Sequence, residues 1–276
     1  MNQNPPARIS IITPSFNQGA YIGQTIRSIA DQGYPDFEHI VMDGGSTDGT
    51  LDVLRQFPHL KYVSERDRGQ ADALGKGLSR ASGGIVGWIN SDDYYAPGTF
   101  AAVARCFADP AVQWAVGNLA YLYEGNAEIV AVRSPAISYA ALLRDPDIVK
   151  QPPTFFRREI LQAAGGWNPD FHMTMDFDLW VRLARIATPR MVDALWAYFR
   201  IHPDQKTSAA NVRRQAREIA RVLGREGVTR PRILRHRTLK EWHLAKARVK
   251  QALIGLKLLD SRYSHRSLRS RPAIRA

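Results

Sequence analysis

The first hundred residues alternate short β-rich runs with helical stretches, and this alternation limits the fold more than any other feature of the chain. "RISIIT" (8–13), "FEHIVMD" (37–43), "LKYVSE" (60–65) and "GGIVGWIN" (83–90) read as strands. Helical stretches at about 18–32, 48–57 and 69–82 separate them, the second with Thr47 or Asp48 available as a cap. Strands joined by helices of this length predict an α/β fold, with a mostly parallel sheet covered on both faces. Beyond residue 111 the pattern loosens. "VQWAVGNLAYLY" (112–123) is another strand signal, 151–171 reads as a loop, a helix and a Gly-Gly stop, and "MDFDLWVRLARI" (175–186) reads as a helix.

Open sheets of this kind bind ligands at the carboxyl ends of their strands. The polar residues gather there, at 13–17, 43–48, 65–70 and 90–93. Neither G-x-G-x-x-G nor G-x-x-x-x-G-K-[ST] occurs, which argues against hydride transfer on a dinucleotide and against P-loop hydrolysis. What remains is a rim rich in carboxylates: Asp43, Asp48, Asp67, Asp72, Asp92 and Asp93. Mn²⁺ and Mg²⁺ favour oxygen donors, and Mg²⁺ commonly combines one or two carboxylates with substrate phosphates. A nucleotide diphosphate bridged to the rim by such a cation is the natural reading.

The formal charge of +12 hides an asymmetry. Residues 212–276 hold 19 Lys and Arg against 4 Asp and Glu, so this last quarter carries +15 and the rest of the chain −3. That shift divides the chain into a body, 1–211, and a basic helical extension, 212–276. Within "LKEWHLAKARVKQALIGLKLL", Leu239, Trp242, Val249, Leu253 and Leu256 fall near one helical stripe. A basic amphipathic helix suits an anionic membrane surface. Dense arginine also suits nucleic acid, but that reading leaves the acidic rim unexplained. A third possibility is a solvated helix packed on the body. The single cysteine, Cys106, excludes an internal disulfide and suits a reducing compartment. No signal-peptide pattern and no run of about 18 apolar residues is present, so the expectation is a cytoplasmic protein, peripheral to the inner face of the plasma membrane if its tail binds there.

The ordered set "TPSFN", "VMDGGSTDGT", "SERDRGQADAL", "GWINSDD", "QPPTFFRR" and "MDFDLWVRL" resembles the family 2 inverting glycosyltransferases of the GT-A fold, over about residues 8–205. Within that family it is similar to members that build bacterial surface polysaccharides. The resemblance implies a Rossmann-like sheet and a nucleotide-diphospho sugar donor, of UDP or dTDP type. It also implies a glycan or lipid-linked acceptor and a Mn²⁺ or Mg²⁺ cofactor. By the same resemblance Thr13, Pro14 and Ser15 line the nucleotide pocket and Asp43 faces the base. Arg68, Gln70 and Ala71 lie along the nucleotide with Asp72 nearby, and Asn90, Ser91 and Asp92 occupy the D-x-D position. Asp92 would meet ribose or metal, with Asp93 the principal metal candidate and His202 a late pyrophosphate or metal contact. Asp176 matches the general base. The chain departs from the pattern at Asn90, which removes one charge, and at Gly75, Gly84 and Met175.

Several residues also have plainer readings. Ser46 and Asp48 suit a turn and a helix cap, and Asp178 suits a structural role. Trp88, Trp180 and Trp196 read as core, whereas Trp167, beside Gly-Gly in an irregular loop, is an acceptor-side candidate. The competing functions are a nucleotidyltransferase of similar fold, which should carry a basic Gly-rich loop near the first strand, and a non-enzymatic binding protein acting through its tail.

Overall fold

A computed structural model describes residues 7–123, 128–202, 205–206 and 211–229. The chain divides into two compact units between Ile201 and His202, ahead of the charge boundary at residue 212.

The first unit opens with the expected alternation. β1 (Ile9–Ser15), α1 (Ile22–Ala30), β2 (Phe37–Asp43), α2 (Thr50–Leu54), β3 (Lys61–Ser64), α3 (Gln70–Arg80) and β4 (Ile85–Trp88) follow in order. β5 (Tyr94–Tyr95), α4 (Thr99–Phe107), β6 (Trp114–Tyr123), β7 (Glu128–Val132) and α5 (Tyr139–Arg144) come next. β8 (Thr154–Arg157), α6 (Arg158–Ala163), α7 (Met175–Ile186) and β9 (Arg190–Ile201) complete the unit. The nine strands form one sheet in the order β3-β2-β1-β4-β8-β6-β9-β5, with β7 paired to β6. β3, β2, β1 and β4 run parallel; β8 is antiparallel to β4 and β6, and β9 runs parallel to β6. This is the expected α/β class, with a mixed second half.

Period-two alternation decides which helix each strand side chain meets. On β2, Ile40 and Met42 pack with Ala73 and Ala81 of the α3 side, while Val41 packs with Ile22, Ile26 and Leu54 of α1 and α2. A further cluster joins Ile9, Ile11 and Ile85 to Phe100, Phe155 and Trp196. Gly87 is required inside it: a Cβ there would stand 2.6 Å from Phe155, 2.8 Å from Ile11 and 2.9 Å from the Tyr95 hydroxyl.

β4 and β5 are four places apart in the sheet, yet only residues 89–93 join them. Four strand spacings amount to about 19 Å on a flat sheet. The connection also turns back on itself, since the N–H of Asp93 donates to the carbonyl of Asn90 at 3.2 Å. The sheet therefore curls until its far edge returns beside β4, and the turn at 90–93 lies in the seam.

The second unit contributes α8 (Val212–Arg225) to the described residues. Val212, Ala216, Ile219, Val222 and Leu223 form its apolar stripe, and its arginines include Arg213, Arg217 and Arg221. The helix expected over 239–259 lies outside the described residues. Among the described residues, no helix is long and apolar enough to cross a membrane.

Candidate active site

The carboxyl ends of β1 to β4 bring together most of the residues that the sequence singled out. Ser15 and Asp43 are register partners at the ends of β1 and β2, and Asp43 is in turn the partner of Ser64 on β3. Asp43 is buried, and its carboxylate holds the loop that follows it. Oδ1 accepts from the Ser46 hydroxyl at 2.5 Å, while Oδ2 accepts from the Ser64 hydroxyl at 2.6 Å and from the N–H groups of Ser46 and Gly45 at 2.9 and 3.2 Å. Ser46 also accepts from the N–H of Asn17 at 2.7 Å, and Asn17 Oδ1 accepts from the N–H of Thr47 at 2.9 Å. Asn17 adopts φ +52° to do so, a conformation that asparagine tolerates well. Asp48 has the structural part expected of it: it receives the N–H groups of Gly19 and Thr50 at 3.0 and 2.9 Å. Burial works to raise its carboxyl, but these bonds and the Thr50 hydroxyl hold it below its ordinary value.

Two features on this side point to a ligand. Ser15 Oγ is buried and finds no partner among the described residues. Next to it in sequence, Phe16 is 60% exposed, which leaves most of an aromatic ring in water. Gly44 forms a bare floor beneath: a Cβ there would meet Asp67 Oδ2 at 2.9 Å and the Phe16 ring at 3.4 Å. Phe16 was not among the residues singled out from sequence, although an aromatic placed immediately after a strand was the available signal. Thr13 lies deeper, buried and hydrogen-bonded to His39 at 2.9 Å, and Pro14 pairs in register with Met42.

Around the end of β3 the groups pair with one another. Arg68 joins Asp72 at 2.9 Å, and the backbone N–H of Arg68 reaches the same carboxylate at 3.2 Å. Hydrogen bonding to Arg68 holds the Asp72 carboxyl down and the guanidinium up. Gly69, at φ +113°, starts α3, and His172 stands over it, its Nδ1 3.2 Å from where a Cβ would be.

Asn90 is the hub. Its Oδ1 accepts from Gln70 Nε2 at 2.6 Å and from the Trp88 indole at 3.0 Å. Its Nδ2 donates to Gln151 Oε1 at 3.0 Å and to Asp93 Oδ2 at 3.3 Å. All four hydrogen-bonding positions of the amide are thereby used inside the protein. Gln151, missed in the sequence, completes the ring by donating to the Trp88 carbonyl at 2.6 Å.

The two aspartates divide sharply. Asp93 is 1% exposed, with Oδ1 receiving the backbone N–H of Arg200 at 3.1 Å in addition to the Asn90 amide on Oδ2. Burial first, then the charge of Asp92, pushes its carboxyl well above the ordinary range. Asp92 is half-buried at the surface of the turn, and Ser91 is buried behind it. Two adjacent carboxylates on the turn after β4, with the Ser15 hydroxyl at the end of neighbouring β1, suit a divalent cation in their donor chemistry. Among the described residues no group of three or more His, Cys, Asp or Glu side chains could hold a metal ion. Oxygens of a bound diphosphate would then complete the coordination.

Asp176 is half-buried in the first turn of α7, its Oδ1 accepting from the N–H of Phe177 at 2.8 Å. Asp178 is fully buried and bound by Arg182 at 2.7 and 3.0 Å, the structural role expected. The loop leading into α7 touches the site at two points, through His172 at Gly69 and through Trp167, whose ring meets Trp88 edge-on at 5.6 Å. Trp167 is only 4% exposed, which leaves little ring surface for a sugar. His202 opens the second unit, where its backbone N–H donates to Gln205 Oε1 at 3.2 Å.

A family model described as "Glycosyl transferase family 2" matches residues 10–177. TuaG of Bacillus subtilis (strain 168), described as a putative teichuronic acid biosynthesis glycosyltransferase, is 43% identical over 91 residues, 31% of this chain and 36% of TuaG. The solved structure of S. aureus TarS in complex with UDP-GlcNAc superimposes with a TM-score of 0.63 at 18% identity, covering 78% of this chain and 65% of TarS. The mannosyltransferase PcManGT of Pyrobaculum calidifontis, solved with GDP-Man and Mn²⁺, gives 0.61 at 23% identity, covering 93% of this chain and 77% of that one. The chain thus spans about a third of TuaG and just under two thirds of the TarS structure.

Proposed function

The chain belongs to glycosyl transferase family 2, and from that premise we propose that it moves a sugar from a nucleotide-diphospho donor to a hydroxyl of a growing glycan or lipid-linked acceptor in polysaccharide biosynthesis, with inversion at the anomeric carbon. Family membership displaces the nucleotidyltransferase and the non-enzymatic alternatives. The observation that carries the reading is the alignment of four parallel strand ends along one rim, with the half-buried Asp92 on the turn that follows β4.

In this reading the nucleoside enters over Ser15, Asp43 and Gly44, with the base on Phe16. Asp43 fixes the floor of that pocket through its four bonds to the following loop and β3. Asn90, with its amide fully used, positions Asp93 and Gln70 and makes no ribose contact of its own. The burial of Asp93 moves the principal metal-facing role to Asp92. A divalent cation, Mn²⁺ or Mg²⁺, held there together with the donor diphosphate, would act as a Lewis acid toward the leaving group. Asp176 removes the proton of the acceptor hydroxyl as that oxygen attacks, a step in which a placed base contributes about 10²- to 10⁴-fold. The TuaG relative supports a surface polymer as product, and the TarS and PcManGT complexes support a nucleotide-sugar donor and Mn²⁺.

The test is a panel of UDP, dTDP and GDP sugars with Mn²⁺, following release of the nucleotide diphosphate. Asp92→Ala should lose metal-dependent nucleotide binding, and Asp176→Ala should keep binding and lose transfer. Full activity in either variant overturns the assignment. The extension 212–276 is proposed to rest on anionic lipid near such acceptors. Deleting 230–276 should shift the protein from membrane to soluble fractions, and unchanged partitioning would end that part of the reading.

A further inference from the structure

Each carbonyl oxygen of the 90–93 turn has a donor within hydrogen-bonding distance. The carbonyl of Asn90 accepts from the N–H of Asp93 at 3.2 Å. Those of Ser91 and Asp93 lie 2.9 and 2.6 Å from the hydroxyl of Thr25, which has one proton to give to either. That of Asp92 accepts from Arg200 Nε at 2.9 Å. Thr25 is fully buried on α1, and Arg200 is 8% exposed near the end of β9.

The guanidinium has partners of its own. It lies 5.2 Å from the centre of the Tyr21 ring and 5.8 Å from that of Tyr94, and its Nη2 donates to Gln24 Oε1. Tyr94 stacks in turn on Tyr198 of β9 at 4.7 Å. A planar, multidentate group suits this slot, and an ammonium could not fill it in the same way.

Resting on the assignment of Asp92 as the carboxylate that meets the metal, we propose that Thr25 and Arg200 are positioning residues which fix the pitch of this turn and thereby the affinity for the cation–diphosphate unit. The peptide joining Asp92 to Asp93 is clamped at its carbonyl by Arg200. Released, that peptide rotates toward water and swings the Asp92 side chain with it. The backbone N–H of Arg200 simultaneously holds Asp93 Oδ1, so one residue of β9 controls both aspartates.

The experiment measures binding of UDP, GDP and dTDP to the full chain by calorimetry, with Mn²⁺ and again in EDTA, alongside melting temperature. Thr25→Val keeps the shape and removes the donor; Thr25→Ser restores it; Arg200→Lys keeps the charge and loses Nε. Thr25→Val and Arg200→Lys should weaken Mn²⁺-dependent binding by about 10- to 100-fold, the usual effect of losing a group that orients a metal ligand. Binding in EDTA should change little, and Thr25→Ser should return to wild-type values. Unchanged Mn²⁺ dependence, or an equal loss with and without Mn²⁺ that tracks melting temperature, overturns the proposal. Should a variant fail to fold, Gln24→Ala, at an exposed position of α1, must show the same selective loss at smaller amplitude. A wild-type protein without Mn²⁺-dependent binding would instead remove the metal reading itself, and this inference with it.

Discussion

The side-chain amide of Asn90 donates to Gln151 Oε1 at 3.0 Å, tying the turn after β4 to the segment that enters β8. An aspartate could not make this bond, nor the one to Asp93. Asn90→Asp should therefore destabilise the metal-free protein by about 1–3 kcal/mol, the cost of leaving buried polar groups unpaired, with added repulsion at Asp93. Mn²⁺ should raise the melting temperature of Asn90→Asp more than that of wild type. Equal increments in the two proteins would show that the amide does not offset charge at this site.

Phe16 is largely exposed, so its removal should leave the fold intact. Phe16→Ala should weaken nucleotide binding by about 1–3 kcal/mol, the usual worth of a base stacked on an aromatic ring. Phe16→Tyr should bind as wild type. Titration with UDP and with ribose 5-phosphate separates the cases, because the sugar phosphate has no base and should ignore the substitution.

Gly87→Ala should be destabilising, since its Cβ would press on Phe155, Ile11 and the Tyr95 hydroxyl together. Overpacking of this kind costs about 1–3 kcal/mol. Urea denaturation should show a lower midpoint with an unchanged slope. Gly75→Ala, within α3 and with nothing within 4 Å of its added methyl, should stabilise instead.

Two buried groups predict acid lability. Burial first, and the nearby charge of His59 second, lower the pKa of His39 from 6.5 to about 3. Burial works to raise the pKa of Glu38, but Lys61, Ser10 and Ser82 prevail and lower it from 4.5 to about 2. In both cases the unfolded chain takes up a proton before the folded one does. The His39 contribution is thus complete above pH 6.5 and is lost as pH falls toward about 3. The Glu38 contribution is complete above pH 4.5 and is lost toward about 2. Each group contributes at most about 1.4 kcal/mol per pH unit. Unfolding free energies measured across this range should fall in two stages. His39→Gln should flatten the upper stage and Glu38→Gln the lower.

The local half of this architecture was legible in the sequence, and the long-range half was not. β1 to β4 and α1 to α3 each announce themselves through their own periodicity. β5 has only two residues, β8 lies hidden in "QPPTFFRR", and β9 emerges from a run whose burial is mixed. Within the site, Asp43, Asn90, Asp92 and Asp93 stood out because each lies at a strand's carboxyl end or within five residues of it. Thr25, Gln151 and Arg200 could not, because their partners stand 66, 61 and 108 residues away. Nothing local distinguishes such residues from any other threonine, glutamine or arginine. That Asp93 is the buried member of its pair was illegible for the same reason: which of two adjacent carboxylates turns inward depends on β9.

The return of the sheet's far edge to β4 has a mechanical consequence. Residues 89–93 act as a covalent clasp that closes β4, β8, β6, β9 and β5 into a ring of strands, and α7 is inserted in the chain between two of them, β8 and β9. β1, β2 and β3, which bear the nucleotide pocket, form a flank fastened to that ring through the pairing of β1 with β4. The turn that carries Asp92 and Asp93 is thus a link of the ring itself, and it cannot shift far without moving β4 or β5.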